Sequence, residues 1–195
     1  MGLPILLKIK QNDTSVVHLQ KIYICIGNGT LTLADSAEDG MTNWTAVGGW
    51  NTSTVQFHSP TRSFSESPSG NYTNNTVRTL TLTTARNIST FPVTILSFYH
   101  RYDIELMDNA YVEVSSDGGT SWTSVKYYYG TQTEWVQEVL DITELANSTT
   151  TLKIRYTVVT NGQVVADGWY VDDIKITNYM DVLTGIGGNQ ETPVS

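Results

Sequence analysis

The chain has 195 residues, of which only 15% are charged, and a formal net charge of −8. This acidic balance argues against a nucleic-acid-binding surface, which needs clustered lysine and arginine to neutralise phosphates. The single cysteine, Cys25, excludes an internal disulfide, and no apolar run approaches the ~20 residues that a membrane span needs. Because Thr, Tyr, Trp and other strand-favouring residues are plentiful, the composition predicts an all-β domain.

The N-terminal part of the chain predicts short strands followed by two loops. Gly27-Asn28-Gly29 is a turn signal that is typical of β-hairpins. Glu38 and Asp39 lie in an acidic loop, and residues 58–76, dense in Ser, Pro, Gly and Asn, predict a long structured loop. A loop of that length is usually functional or stapled by a metal. The short apolar or alternating runs before these loops are at residues 5–10, 15–19 and 22–26.

The rest of the chain shows the period-two alternation of half-buried strands. Turn signals separate the strands about every ten residues, and no βαβ spacing occurs. This pattern predicts a two-sheet antiparallel jelly-roll sandwich. A single helical turn is expected near residues 142–146, and the Gly- and Asn-rich end of the chain predicts a linker. The predicted strands are 78–83, 94–99, 110–115, 122–128, 134–142, 151–159 and 168–176.

Residues 115–122 read Ser-Ser-Asp-Gly-Gly-Thr-Ser-Trp, which resembles the Asp-box hairpin of sialidases and many other extracellular β proteins. The motif begins at Ser115, and Asp117 can accept N–H bonds across the turn. Gly119 supplies a positive φ, and Trp122 packs beneath the turn. Because these side chains serve the turn itself, the motif predicts a structural hairpin and not a catalytic site.

Two adjacent carboxylates, Asp172 and Asp173, lie in the last predicted strand and must point to opposite faces. A carboxylate that points inward needs a cation or several hydrogen-bond donors. Calcium takes six to eight oxygen ligands at about 2.3–2.6 Å. Glu38, Asp39 and Asn74 in the two loops could complete such a site if they converge on the pair. The alternative is a set of separate, solvated acids and turn residues.

Which member of the acidic pair would face the ion is left open, with a preference for Asp173. Tyr170, Asp172, Ile174 and Ile176 share one face of a regular strand, and that face has the composition of a core. The preference for Asp173 depends on the strand being regular.

A catalytic alternative rests on Asp103 and Glu105, two residues apart on one strand face, as in jelly-roll glucanases. Those enzymes resemble Glu-x-Asp-x-Glu, but Arg101 stands where the first Glu should be. A solvated strand end, or a salt link to Arg101, is the simpler interpretation. The three histidines lack zinc-ligand spacing, and no nucleophile elbow occurs, so we expect no catalytic residue.

The candidates for stacking on a sugar ring are the run Tyr127-Tyr128-Tyr129, from which Tyr127 and Tyr129 are selected as ligand-binding residues, and Trp135. Alternation places Tyr127 and Tyr129 on the same strand face, although core packing is expected for at least one face. A carbohydrate-binding module is therefore the main alternative function.

Between about Ala34 and Ile176 the chain resembles the MAM-like jelly-roll domain of bacterial immune inhibitor A-type secreted metallopeptidases, and it is similar to cleaved-adhesin domains. The resemblance implies that a cation staples the acidic loop to the final strand, through Glu38, Asp39 and either Asp172 or Asp173. The blocks that carry it include HSP at 58–60, LSFYHRYDIE at 96–105, AYVEVSSDGGTSW at 110–122 and DGWYVDDIKI at 167–176.

The tail GIGGNQETPVS at 185–195 resembles the linker before a type nine secretion sorting domain. We expect an N-terminal extension at 1–30, the jelly roll at 31–179 and a linker at 180–195. The expected function is that of a non-catalytic, Ca²⁺-stabilised accessory or adhesion domain of a larger secreted or surface-attached bacterial protein, which could be a peptidase. We expect a monomer whose partners are adjacent catalytic or sorting domains, a glycan or a cell-surface protein.

Overall fold

Strands dominate the computed structural model, which describes residues 21–25, 29–180 and 182–186, with side chains for 29–180. Within these residues no helix is long and apolar enough to cross a bilayer. The elements are β1 (Lys21–Cys25), β2 (Thr30–Asp35), β3 (Trp44–Val47), β4 (Asn51–Ser53), β5 (Ser63–Ser65), β6 (Val77–Leu82), β7 (Val93–Ile104), β8 (Asn109–Ser115), β9 (Thr123–Tyr128), β10 (Gly130–Asp141), α1 (Thr143–Ala146), β11 (Lys153–Val159), β12 (Gly168–Tyr179) and β13 (Val182–Ile186).

Two antiparallel sheets form the sandwich, which confirms the predicted all-β jelly roll. The six-stranded sheet has the order β10-β7-β12-β5-β4, and β2 also pairs with β12. The five-stranded sheet has the order β3-β6-β11-β8-β9. Strands β9 and β10 are consecutive in the chain but belong to different sheets, and each is an edge strand. One side of the sandwich is therefore bounded by these two edges.

The core lies between the sheets and is built from the inward residues of the long strands. Leu96 and Phe98 of β7 face the core together with Trp169 of β12, and all three are fully buried. Tyr156 of β11 contacts both Phe98 and Trp169 from the other sheet, with ring centroids 5.3 and 5.5 Å apart. Each fully buried large apolar side chain contributes roughly 1.5–3 kcal/mol relative to exposure.

A β-bulge in β12 changes the face assignment that regular alternation predicts. The pairing with β7 moves from Asp172 opposite Tyr99 to Lys175 opposite Ser97, so two residues oppose one. Asp173, with φ of 49°, occupies this bulge. The core residues of β12 are therefore Trp169, Val171, Ile174 and Ile176, whereas Tyr170 is buried outside that cluster. The prediction of one core face for Tyr170, Asp172, Ile174 and Ile176 was wrong, because the bulge shifts the alternation.

The two ends of the chain also differ from the expected organisation. Strand β1 pairs with β13, whereas β2 pairs with β12. Gly27 and Asn28 of the predicted turn lie outside the described residues. Val182–Ile186, expected in the linker, forms β13. The long predicted loop contains β5, which pairs with β4 and β12. The predicted runs at 5–10 and 15–19, and residues 187–195 of the tail, lie outside the described residues.

Candidate functional site

A cleft of about 350 Å³ opens between the edge strands β9 and β10. It lies where the two sheets are not joined by hydrogen bonds, because each sheet ends at this side of the sandwich. Its lining is formed by His100, Tyr102, Lys126, Tyr127, Tyr128, Tyr129, Gln132, Val136 and Glu138.

Tyrosine rings form the mouth and the floor of this cleft. Tyr127 and Tyr129 are 57% and 50% exposed, and their rings are nearly parallel, with centroids 6.1 Å apart and an interplanar angle of 14°. Tyr128 points inward, as alternation requires, and is only 6% exposed. Its ring contacts His100 and Tyr102 at centroid distances of 4.6 and 5.6 Å. The two exposed rings therefore lie at the rim of the cleft, on the opposite side of the strand from its packed aromatic floor.

The polar groups of the cleft act as hydrogen-bond donors and acceptors. The Tyr128 hydroxyl donates to Glu138 Oε2 at 3.0 Å. Burial, and then the charge of Glu138, raise the pKa of Tyr128 and of Tyr102, so both hydroxyls keep their protons at neutral pH. Burial, and then nearby Lys126, lower the pKa of His100 to about 4. His100 is therefore neutral near pH 7.

His100 accepts a side-chain hydrogen bond that requires its neutral state. Its Nδ1 accepts a hydrogen bond from the indole N–H of Trp169 at 3.2 Å. This contact connects the cleft floor to the sandwich core. The cleft therefore offers flat apolar rings beside an acid, an amine and an amide, which can stack on and hydrogen-bond to a polyhydroxylated ligand.

Trp135 does not join the two tyrosines. Strand β10 has a register irregularity between Gln132 and Val136, and Trp135 lies within it. Its ring contacts His58 at a centroid distance of 6.0 Å, and His58 stacks on Tyr99 at 3.6 Å. Because Tyr99 alternates with the core residues of β7, this cluster is on the outer face of the six-stranded sheet, away from the cleft.

Sequence reasoning missed most of the polar lining. On β10, Val136, Glu138 and Leu140 share one strand face, and Leu140 is buried. An acid that alternates with a buried apolar residue is a signal that could have identified Glu138. Tyr102 could have been found in the same way, since it alternates with the buried His100 on β7.

Two of the predicted metal-binding acids hold the same loop at residues 58–62. Asp172 is fully buried, and its Oδ2 accepts the backbone N–H groups of His58 and Ser59 at 2.8 and 3.0 Å. Glu38 accepts the N–H groups of Thr61 and Arg62. Burial comes first among the causes that raise the pKa of Asp172, although the two N–H donors act in the opposite direction.

The other predicted metal ligands lie at different contacts. Asp173 Oδ2 contacts His58 Nδ1 at 2.7 Å, and Asp39 is exposed. Asn74 donates to the backbone carbonyl of Gln163 at 3.3 Å, and its buried Oδ1 has no hydrogen-bond partner. Among the residues with described side chains, no three His, Cys, Asp or Glu form a metal-binding group. The five residues thus do not form a single site here, and calcium binding stays a prediction.

The Asp-box residues form a tightly hydrogen-bonded turn. Asp117 accepts the N–H groups of Thr120 and Ser121 at 3.0 and 2.9 Å, and the Ser115 hydroxyl donates to its Oδ1 at 2.7 Å. Gly119 has φ of 99°, and Trp122 donates its indole N–H to the Gly119 carbonyl at 3.1 Å. All of these bonds are internal to the hairpin.

Asp103 and Glu105, the pair considered for glycoside hydrolysis, do not line the cleft. Asp103 accepts the Thr131 hydroxyl at 2.8 Å, whereas Glu105 accepts the N–H of Met107 within a turn at 2.9 Å. Arg101 donates to the amide oxygen of Gln56 at 2.8 Å and forms no ion pair with a described residue. Both carboxylates therefore serve local structure.

No protein-family model matches the chain, and no curated protein matches it. Solved structures are similar in fold. The C-terminal family 22 carbohydrate-binding module of Clostridium thermocellum Xyn10B is 13% identical, with a TM-score of 0.54 over 76% of this chain and 93% of that chain. The K1 cleaved adhesin domain of Lys-gingipain from Porphyromonas gingivalis W83 is 14% identical, with a TM-score of 0.51 over 76% and 98%.

TmCBM61 in complex with β-1,4-galactotriose is 16% identical, with a TM-score of 0.50 over 74% of this chain and 94% of that chain. At such identities these similarities show the jelly-roll fold and not the ligand. They include the cleaved-adhesin fold that the sequence resembles, whereas the resemblance to MAM-like metallopeptidase domains stays a prediction.

Proposed function

We propose that this chain is a non-catalytic accessory domain that binds glycans in the cleft between β9 and β10. The observation that carries the proposal is the pair of exposed, nearly parallel rings of Tyr127 and Tyr129 at the mouth of the cleft. Sugar rings have an apolar C–H face that stacks on such aromatic surfaces, while their hydroxyls need donors and acceptors nearby. Lys126, Gln132 and Glu138 supply these polar groups.

The similar structures support the ligand class but not a particular sugar. TmCBM61 was solved with β-1,4-galactotriose, and the CBM22-1–GH10 modules of C. thermocellum Xyn10B with xylohexaose. CBM28 is described as specific for non-crystalline cellulose. The xylanase structure also places such a module beside a catalytic domain in one chain. A secreted or surface-attached protein with a separate catalytic domain is therefore the context that we propose for this chain.

Titration calorimetry with xylohexaose and β-1,4-galactotriose, and pull-down on non-crystalline cellulose, test the proposal. Tyr127→Ala and Tyr129→Ala should each weaken binding about tenfold or more, because burying one large side chain contributes roughly 1.5–3 kcal/mol. Trp135→Ala is the matched control, since it removes an aromatic ring from the outer face of the other sheet, away from the cleft. Unchanged affinity in the double tyrosine variant, or no binding across a broad glycan array, would reject the proposal.

Protein adhesion is a second candidate, favoured by the aromatic surface around Trp135. Phe57, which is 42% exposed, follows Gln56 in the loop that contacts this sheet face. In a cell-adhesion assay, this function predicts loss of binding in Trp135→Ala and no effect of Tyr127→Ala. The two variants therefore give opposite results under the two functions.

A further inference from the structure

Two opposite charges face the cleft without neutralising each other. Lys126 lies on β9 and Glu138 on β10, and both line the same space. Among the residues with described side chains the ion pairs are His58–Asp173 and Arg155–Glu113, so Lys126 and Glu138 are not paired. A ligand that enters the cleft therefore meets both charges.

Glu138 is held in one orientation by the floor of the cleft. Its Oε2 accepts the hydroxyl of Tyr128, a ring that is packed against His100 and Trp169. Its Oε1 accepts no hydrogen bond from a described residue. A carboxylate with one oxygen anchored and one free is preorganised to accept hydroxyl donors from a ligand, and such charge-assisted bonds are strong.

The two charges differ in how much solvent surrounds them. Lys126 is exposed, whereas Glu138 is half-buried against the tyrosine floor. Water and salt screen an exposed charge much more than a partly buried one, so Glu138 is the less screened of the two charges and acts on Tyr102 and Tyr128 of the cleft. The net charge of −8 on the whole chain acts in the same direction.

We propose that Glu138 makes the cleft selective for neutral glycans: it accepts hydrogen bonds from ligand hydroxyls and repels sugars that carry a carboxylate. This inference rests on the proposed glycan-binding function and assigns the specificity of that same cleft. Rejection by a like charge is a general way to obtain specificity, because it penalises the wrong ligand without needing new contacts for the right one.

The test compares the affinity for neutral xylohexaose with that for the acidic hexamer of galacturonic acid, in wild type and in Glu138→Gln. Glutamine keeps an acceptor for Tyr128, so the fold should persist, and a melting curve checks this. Wild type should prefer the neutral hexamer at least tenfold. In Glu138→Gln the ratio of the two affinities should fall about tenfold or more, through weaker neutral and stronger acidic binding.

Glu134→Gln is the matched control, because it removes the same charge from an exposed position of the same strand. Its affinity ratio should equal that of wild type. An unchanged ratio in Glu138→Gln, or an equal change in both variants, would overturn the inference while leaving glycan binding intact. If the wild-type protein binds neither of these two probes nor any other glycan, the proposed function fails, and the inference fails with it.

Discussion

Replacing Glu66 with glutamine is expected to change how the stability of the protein depends on pH. Glu66 is fully buried beside β12, where Oε2 accepts the N–H of Trp169 at 2.9 Å and Oε1 accepts the Ser67 hydroxyl at 3.1 Å. Burial, which outweighs these donors and the nearby Arg78 guanidinium, raises the pKa of Glu66 to about 7. The buried carboxyl group therefore holds its proton more tightly than the same group in the unfolded chain.

The sign and size of the effect follow from linkage. Because the pKa of Glu66 is raised on folding, its protonated form adds to the free energy of unfolding. This contribution is complete below the ordinary pKa of 4.5 and is lost as pH rises through about 7. At 1.36 kcal/mol per pH unit, the difference corresponds to roughly 3 kcal/mol in total. Most of it, about 2.5 kcal/mol, should be lost between pH 5 and pH 8. Glu66→Gln cannot titrate and should lack this loss.

Urea unfolding of wild type and Glu66→Gln at pH 5 and pH 8 measures the effect. His100 titrates in the opposite sense, because its pKa is lowered to about 4 and its contribution is lost as pH falls below 6.5. Comparing the two proteins at each pH cancels this term, since both retain His100. Glu134→Gln, at an exposed position, is the control. If the difference in unfolding free energy between wild type and Glu66→Gln is the same at both pH values, the reasoning about Glu66 is refuted.

Three further predictions concern backbone strain, the Asp-box turn and calcium. Gly168→Ala should lower the free energy of unfolding by roughly 2–4 kcal/mol, because Gly168 has φ of 96° and a Cβ would collide with the Glu66 carboxylate. Gly40→Ala is the control: Gly40 has φ of 69° but open space around it, so the same urea assay should show a loss of about 1 kcal/mol. Asp117→Asn should lower the melting temperature at pH 7, and because hydrogen bonds hold the pKa of Asp117 below its ordinary 3.8, the two proteins should converge as pH falls below about 4. EDTA should lower the melting temperature of wild type but not of Asp173→Ala; a wild-type melt insensitive to EDTA and Ca²⁺ would reject the calcium site.

Strand positions could be predicted well because alternation is a local signal. The run predicted at 110–115 corresponds to β8 at Asn109–Ser115, and the run at 151–159 to β11 at Lys153–Val159. Strand β7 extends to Ile104, beyond the predicted end at residue 99, because the buried His100 and half-buried Tyr102 continue the inward face with polar side chains. The period-two pattern of apolar residues does not detect such positions.

The functional residues were predicted where the strand is regular and missed where it is not. Tyr127 and Tyr129 share one side, as alternation on β9 indicates. Trp135 does not join them, because β10 is irregular between Gln132 and Val136. Asp172 faces the 58–62 loop while Ile174 faces the core, because the bulge at Asp173 shifts the residues that follow it. An extra residue in a strand moves every following side chain to the other face.

The sequence by itself determined the all-β class, most strands, the Asp-box turn and the placement of two tyrosines on one face, because each depends on residues close together in the chain. Only the tertiary structure decided that β9 and β10 are the free edges of different sheets and that Glu138 meets Tyr128 between them. It also decided that Glu66 is buried beneath β12. These features depend on strand order, bulges and contacts between segments far apart in the chain, which local alternation does not encode.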